Sequence, residues 1–163
     1  MARTKAVSDT GPIIHLNEID CLDVLKLFDV VIPLEVESEV KNMGILFKVK
    51  TQRLTKKEKN RAAMLVRKYG IDLGEATAIA LAEHSGIKLF FTDDLDARLV
   101  ADRFNLEPHG SVGILLRAFR EGILTKEEVE KKVTELETGS SLFITHDLVR
   151  ETIREIERYE KLE

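Results

Sequence analysis

Three carboxylates, those of Asp93, Asp94 and Asp96, follow the short apolar segment 89–92 (LFFT) within four residues. The length and aromatic content of this segment are typical of a buried strand. A buried strand that ends in carboxylates places negative charge at a sheet edge, where open α/β sheets bind ligands. Three like charges held this close repel each other, so we expect a cation or a shared proton among them. Alternatively, one Asp caps the next helix and the others are solvated.

Other acidic residues extend this pattern, but each also has a structural explanation. Asp9 follows a predicted strand and can simply hold the turn before a helix. Glu39 lies on a predicted helix whose outer face should be charged anyway, and Glu75 has the capping-box spacing from Asp72. Oxygen ligands without His or Cys suit Mg²⁺ or Mn²⁺ rather than zinc. Such ions activate water and stabilise in-line displacement at phosphorus.

Strands and helices alternate along the chain, which favours a mostly parallel sheet covered on both sides. Right-handed crossovers bring the C-terminal ends of parallel strands to one edge, so we expect Asp9 and residues 93–96 to share an acidic pocket. The predicted strands are residues 6–8, 30–32, 89–92 and, more weakly, 106–108. The main predicted helices are residues 22–28, 34–41, 62–69, 76–84, 96–104, 112–120, 125–137 and 146–159.

Composition predicts one globular domain. The 163 residues suffice for a core without disulfides, and 44% are hydrophobic while 33% are charged. Cys21 is the only cysteine, so a disulfide framework or a Cys-rich zinc site within one chain is excluded, and we expect a small core residue there. No signal peptide or membrane span is recognisable, which predicts a cytoplasmic protein. The four histidines are expected to be structural or surface residues.

Residues 48–61 form a basic segment in an otherwise acidic chain. The segment carries a net +6 within a total of −4, so the rest of the chain carries −10. An acidic body with one basic arm fits a metal-filled pocket beside a phosphate-attracting surface, but an ordinary solvated loop and helix start would look the same. The candidate RNA-binding residues are Lys48, Lys50, Arg53, Lys56, Lys57, Lys59 and Arg61, with Arg98 in addition.

Four motifs together resemble those of PIN-domain nucleases, in the branch related to VapC-type toxins of toxin–antitoxin pairs. They are VSDTGP at 7–12, IPLEVESEV at 32–40, LGEATAIALA at 73–82 and FTDDLDAR at 91–98. The segments GILLRA at 113–118 and GIL at 122–124 resemble that branch's late helix. The resemblance covers roughly residues 5–124. It implies a PIN-like three-layer α/β/α sandwich with four to five short strands (residues 1–124), followed by a helical extension (residues 125–163) packed on the same domain.

The resemblance also implies roles for single residues. Asp9 resembles the first metal ligand, Glu75 the central acid and Asp94 the third ligand, while Thr10 and Thr92 resemble supporting residues. Asp93 could replace Asp94 at the metal, but Asp94 keeps the Thr-x-Asp spacing, so Asp93 is expected to cap the helix. The implied catalytic set is Asp9, Glu39, Glu75, Asp94 and Asp96, of which Asp9, Glu75, Asp94 and Asp96 would bind metal.

The implied activity is Mg²⁺- or Mn²⁺-dependent hydrolysis of single-stranded RNA. The implied role is that of a toxin with a small antitoxin partner, or of a housekeeping nuclease, and relatives commonly form homodimers. An aspartic protease is excluded because Asp-Thr-Gly occurs once in a helical pattern, and a haloacid-dehalogenase phosphatase because position 11 is Gly. The remaining rival is a PIN-like binding or scaffold module without turnover.

Overall fold

A parallel sheet of five short strands forms the centre of the protein, in the order β3-β2-β1-β4-β5. The structure is a computed structural model and describes residues 3–162. All four strand pairs are parallel, and β1 lies between β2 and β4. The strands are β1 (Thr4–Ser8), β2 (Phe28–Pro33), β3 (Lys50–Gln52), β4 (Leu89–Phe91) and β5 (Glu107–His109).

Eight α-helices and one 3-10 helix cover the two faces of this sheet in the described part of the chain. The 3-10 helix is Leu22–Leu27. The α-helices are α1 (Thr10–Glu18), α2 (Leu34–Asn42), α3 (Lys56–Tyr69), α4 (Leu73–Ser85), α5 (Leu95–Arg103), α6 (Ser111–Arg120), α7 (Lys126–Gly139) and α8 (His146–Leu162). The predicted α/β/α sandwich is confirmed, with five strands that are all parallel.

Adjacent strand residues enter different cores. Phe90 packs in the core between the sheet and helices α3, α4 and α5, whereas Phe91 packs in the core on the other face. This follows from the strand period of two, which sends successive side chains to opposite faces. On the Phe90 side, the alanines of α4 are almost completely buried, so small side chains let this helix approach the sheet closely. That packing places the first turn of α4 at the C-terminal ends of β1 and β4.

The basic segment is more ordered than the sequence predicted. Lys50–Gln52 forms the edge strand β3, and α3 begins at Lys56 rather than near residue 62. A capping box starts that helix: Thr55 Oγ1 accepts from the Glu58 amide, and the Glu58 side chain accepts from the Thr55 amide. A polar three-residue edge strand has no apolar alternation to reveal it, which explains why it was missed.

The C-terminal helices pack on the same chain. Val149 and Ile156 of α8 are buried in the core that also contains Val133 of α7, and Ile153 packs against it half-buried. The apolar face of α8 is therefore largely used within the monomer, which leaves little of it for the homodimer that the resemblance implies. None of the helices within residues 3–162 has both the length and the apolar composition to cross a bilayer.

Candidate active site

An acidic cleft of about 350 Å³ opens at the C-terminal ends of β1 and β4. It brings together six of the residues predicted from the sequence: Asp9, Glu39, Glu75 and Asp94 of the catalytic set, and Thr10 and Asp93 of the supporting set. Asp72, His15 and the loop residues Ser141, Leu142 and Phe143 also line it. None of the described residues that line the cleft is Lys or Arg, so His15 is their one basic side chain.

Four helices begin at this cleft, and a carboxylate meets the first turn of each. Asp9, Asp72 and Asp94 are the N-cap residues of α1, α4 and α5, and each accepts a bond from an amide of its own helix. Asp93 accepts instead from the Ser111 amide at the start of α6, at 2.6 Å. Helix N-termini carry unpaired N–H groups and partial positive charge, which stabilise nearby anions. A carboxylate has two oxygens, so a capping bond at one is compatible with a ligand at the other.

Asp9 is held rigidly at the end of β1. Its amide donates to the Phe91 carbonyl of β4 at 2.8 Å, and its Oδ1 accepts from the Thr10 amide at 2.6 Å. Its Oδ2 accepts from Thr92 Oγ1 at 3.1 Å, as expected for a supporting Thr. Burial nevertheless raises the pKa of Asp9 to about 7, and the nearby carboxylate of Asp72 adds to this rise. The metal-free protein therefore gives Asp9 too little compensation to ionise it readily.

Glu75 is buried beside two other acids at the start of α4. Burial and the neighbouring carboxylates of Asp72 and Asp94 raise its pKa strongly. Its Oε2 is buried and has no hydrogen-bond partner within the described residues. Glu39 approaches from α2, where its Oε2 accepts from Thr10 Oγ1 at 3.1 Å. Gly74 leaves room for this approach, because a Cβ there would clash with the Glu39 carboxylate.

Asp93 occupies a different environment from Asp94. Its Oδ2 lies 2.7 Å from His15 Nδ1 and accepts from Ser111 Oγ at 2.5 Å. Burial opposes ionisation, but the bonds from His15 and Ser111 outweigh it and hold the pKa of Asp93 below its usual value. The prediction that Asp93 caps the next helix is wrong: Asp94 Oδ2 accepts from the Ala97 amide at 2.8 Å. His15, predicted to be structural or on the surface, orients Asp93 inside the cleft.

Two further predicted residues are placed differently from the rest. Asp96 is exposed in the first turn of α5 and does not line the cleft. The Arg98 side chain is half-buried, and its Nε donates to the Thr92 carbonyl at 3.2 Å. Arg98 thus supports the turn that carries Thr92 and Asp93. Its contact in this structure is therefore structural, although the sequence predicted that it binds RNA.

The basic segment lies away from the cleft. Arg61 of α3 forms a two-bond ion pair with Glu83, both at 3.2 Å. Glu83 follows Glu75 by eight residues, or about 12 Å of helix rise, so this end of α3 lies beside the far end of α4. Lys48 and Lys50 line a separate groove that also contains Arg3. Six of the seven basic side chains in the segment are exposed, and the half-buried Arg61 is the exception.

The donor set of the cleft fits a hard divalent cation. It consists of carboxylate and hydroxyl oxygens, the ligands that Mg²⁺ and Mn²⁺ prefer, and Glu75 Oε2 is a buried acceptor that lacks a donor. Within residues 3–162, no three His, Cys, Asp or Glu side chains are already arranged as a complete set of ligands. Side-chain rearrangement of Asp9, Glu75 and Asp94 would therefore have to accompany metal binding.

An α/β/α sandwich with a carboxylate cleft at the C-terminal strand ends has the architecture of a PIN-like protein. A family model described as a PIN domain matches residues 5–158, most of the chain, so the protein belongs to the PIN-domain family. PIN domains are generally nucleases that use divalent metal ions. The match continues past residue 124 into α7 and α8. No curated protein and no solved structure matches the chain significantly.

Proposed function

We propose that the protein is a metal-dependent ribonuclease that hydrolyses phosphodiester bonds of single-stranded RNA. The observation that carries this proposal is the cleft itself, in which six carboxylates converge without a Lys or Arg side chain among the described lining residues. The raised pKa values of Asp9 and Glu75 have burial as their main cause, and neighbouring carboxylates contribute. A bound divalent cation would remove that penalty.

Asp9, Glu75 and Asp94 are the residues proposed to hold Mg²⁺ or Mn²⁺. Asp72 is a fourth acid that the sequence suggested only as a helix cap, whereas Asp96 would have to act from outside the cleft. When bound, the cation supplies Lewis-acid chemistry, lowering the pKa of water and offsetting negative charge on the phosphate.

Hydrogen bonds restrain the side chains of Asp9, Asp94, Asp72 and Glu39 around the cleft, whereas Glu75 Oε2 has no partner among the described residues. Thr92 bonds Asp9 Oδ2, Thr10 bonds Glu39 Oε2, and helix amides hold one oxygen of Asp9, Asp72 and Asp94. Because the first turns of α1 and α4 point at the cleft, their amide groups also favour an anion such as a phosphodiester there. Preorganised donors of this kind avoid reorganisation during the reaction.

The motif resemblance is the basis for choosing RNA as the substrate. It is also the basis for proposing a toxin with a small antitoxin partner, and a homodimer. Two observations would support the toxin role: a small reading frame directly beside the gene, and growth arrest on expression that co-expression of its product relieves. If expression is harmless and no such frame exists, a housekeeping nuclease is favoured.

The nuclease proposal is tested by incubating the protein with a labelled single-stranded RNA in Mn²⁺, in Mg²⁺ and in a chelator. We expect cleavage with either ion and none in the chelator. RNA binding without cleavage under all three conditions would favour a catalytically silent PIN-like scaffold.

A further inference from the structure

The loop between α7 and α8, residues 140–145, closes one side of the acidic cleft. Ser141, Leu142 and Phe143 line the cleft together with the carboxylates. Phe143 is 90% exposed. It is the one aromatic residue among the exposed large hydrophobic residues of the described chain. An exposed Phe beside a highly polar cleft has no stabilising role in the fold, because it removes almost no apolar surface from water.

The exposure of Phe143 is imposed by the loop rather than by a free chain end. Ser141 donates to Glu18 Oε1 through both its amide, at 3.0 Å, and its hydroxyl, at 2.8 Å, which ties the loop to α1. Leu142 and Ile144, on either side of Phe143, pack against the core. Alternating contacts of this kind turn the intervening side chain outward. The chain therefore anchors both neighbours and presents the Phe143 ring at the mouth of the cleft.

We propose that Phe143 is a stacking platform for a nucleobase of the single-stranded substrate, next to the phosphodiester that enters the cleft. This inference rests on the proposed nuclease function. The cleft offers no Lys or Arg among its described lining residues, so the strand has to be held by bound metal, by the amides at the helix starts and by other neutral contacts. Base–aromatic stacking is such a neutral contact, and it tolerates every sequence because every base has a π-face.

A protein partner fits this feature less well than a base does. The ring stands alone between apolar neighbours that point inward, with Ser140, Ser141 and Thr145 beside them. Protein interfaces need contiguous apolar patches of several hundred Å², which one isolated ring cannot supply. A flat aromatic ring matches the area of a single base.

The experiment uses tryptophan fluorescence, because the chain has no Trp and Phe143→Trp introduces a single reporter. The Phe143→Trp variant, whose proposed metal ligands are intact, is titrated in Ca²⁺ with oligoadenylate and with an abasic oligomer of the same length, and the oligomers are checked for cleavage after each titration. We expect quenching by oligoadenylate and much weaker quenching by the abasic oligomer. Equal quenching by both oligomers, or none by either, overturns the proposal.

Steady-state kinetics provide the second measurement. Phe143→Ala should raise KM for single-stranded RNA by about 5- to 150-fold with little change in kcat, which is the loss expected for one stacked base bound equally in ground and transition states. Phe143→Tyr should restore the KM, whereas Phe143→Leu, which stays apolar but loses the ring, should not. The control is Leu162→Ala, since Leu162 is 86% exposed and about 24 Å of helix rise beyond the loop.

Failure of this inference is distinct from failure of the nuclease proposal. Normal KM values for Phe143→Ala and Phe143→Leu in an active enzyme overturn only the stacking role. Quenching in a protein that cleaves no RNA supports the stacking role and overturns the nuclease proposal. Conversion of a dimer to a monomer by Phe143→Ala in light scattering would show that the ring contacts a second copy, which also overturns the stacking role.

Discussion

Asp93 and Asp94 are adjacent in the chain, yet they belong to two halves of the cleft with opposite electrostatics. In one half, His15 and Ser111 satisfy Asp93 and keep its pKa low despite burial. In the other half, which contains Asp94, burial and mutual repulsion raise the pKa values of Asp9 and Glu75. Bonds from His15 and Ser111 more than offset the cost of burying the Asp93 carboxylate, whereas the donors around Asp9 and Glu75 do not offset theirs.

This difference separates a structural acid from candidate ligands. An acid whose charge is already balanced gains little from a cation, whereas acids held together against their repulsion gain a great deal. The spacing Thr-x-Asp pointed to Asp94 as the ligand, and the environment of Asp93 now gives an independent physical reason for the same choice. Experiments that change one half of the cleft and leave the other intact test this assignment.

The largest expected effect is on catalysis. Asp9→Asn and Glu75→Gln should each reduce RNA cleavage by more than about 100-fold, beyond the 10- to 100-fold typical of residues that only support a ligand. Asn caps helices as well as Asp does, so the Asp9 variant should stay folded. Since the two acids act on one metal unit, the double variant should be hardly worse than either single variant in a cleavage assay.

The matched control is Glu37→Gln, because the Glu37 carboxylate lies on the same helix as Glu39 but accepts from Thr51 and Lys41 outside the cleft. We expect near-normal cleavage from it. Full activity in either the Asp9 or the Glu75 variant would contradict the assignment of this half as the catalytic one.

Metal binding should stabilise the protein through the unbalanced half alone. At an Mn²⁺ concentration about 100 times its Kd, the native state gains about 2.7 kcal/mol, which corresponds to a rise in Tm of roughly 5–10 °C for a domain of this size. Asp94→Asn keeps the helix cap and should lose most of this rise in differential scanning fluorimetry. An unchanged Tm in millimolar Mn²⁺ would mean that the cleft is not a metal site.

The pH dependence of stability should have opposite signs in the two halves of the metal-free protein. The pKa of Asp9 is raised from 3.8 to about 7, so the folded state binds more protons in this window and stability falls as the pH rises through it, by up to about 4 kcal/mol for Asp9 alone. The pKa of Asp93 lies below 3.8 when folded, so its contribution is present above about pH 4 and lost as the pH falls through the lowered value.

Urea unfolding in a chelator between pH 2 and pH 8 measures both effects. Asp9→Asn should reduce the decline toward pH 7, and the remainder should come from Glu75, whose pKa is also raised. Asp93→Asn should leave the decline in place and lower stability at neutral pH by about 1–3 kcal/mol, since His15 and Ser111 lose a charged partner. If the Asp9→Asn variant shows the same decline in stability as the wild type, groups other than Asp9 cause that decline.

The sequence predicted the fold well because the fold depends on repeated local patterns. Buried strands such as residues 89–92 and the Ala-rich helix α4 carry strong signals in composition and period. The parallel crossover rule then brings Asp9 and Asp94 to one edge without any knowledge of contacts. Strand β3 was missed because its Lys-Thr-Gln sequence has no apolar period to detect.

Contacts between distant residues explain what the sequence could not reveal about the cleft. His15 and Ser111 are 78 and 18 positions from Asp93, and nothing in their local sequence indicates that they converge on it. Asp72 did carry a signal, because an N-cap three residues before Glu75 must share the first turn of α4, but this was interpreted only as a cap. Phe143 lies in a loop without periodicity, where only the packing of its neighbours fixes its direction.

The smallest expected effect concerns the basic segment. Its surface is rich in Lys and Arg, whereas the described lining of the cleft contains neither. Changing Lys56, Lys57 and Lys59 together to Gln should weaken RNA binding about equally for all sequences. The loss of three phosphate contacts should reduce the slope of log affinity against log salt by about two, at roughly 0.7 per contact for a single strand.

Arg61→Gln is the informative control. Arg61 forms an ion pair with Glu83, so this change should lower the stability of the fold and leave the salt slope nearly constant. Fluorescence anisotropy across a salt series measures both slopes. If the triple variant keeps the slope of the wild type, residues 56–59 are a solvated surface, and RNA reaches the cleft along a path that does not pass the start of α3.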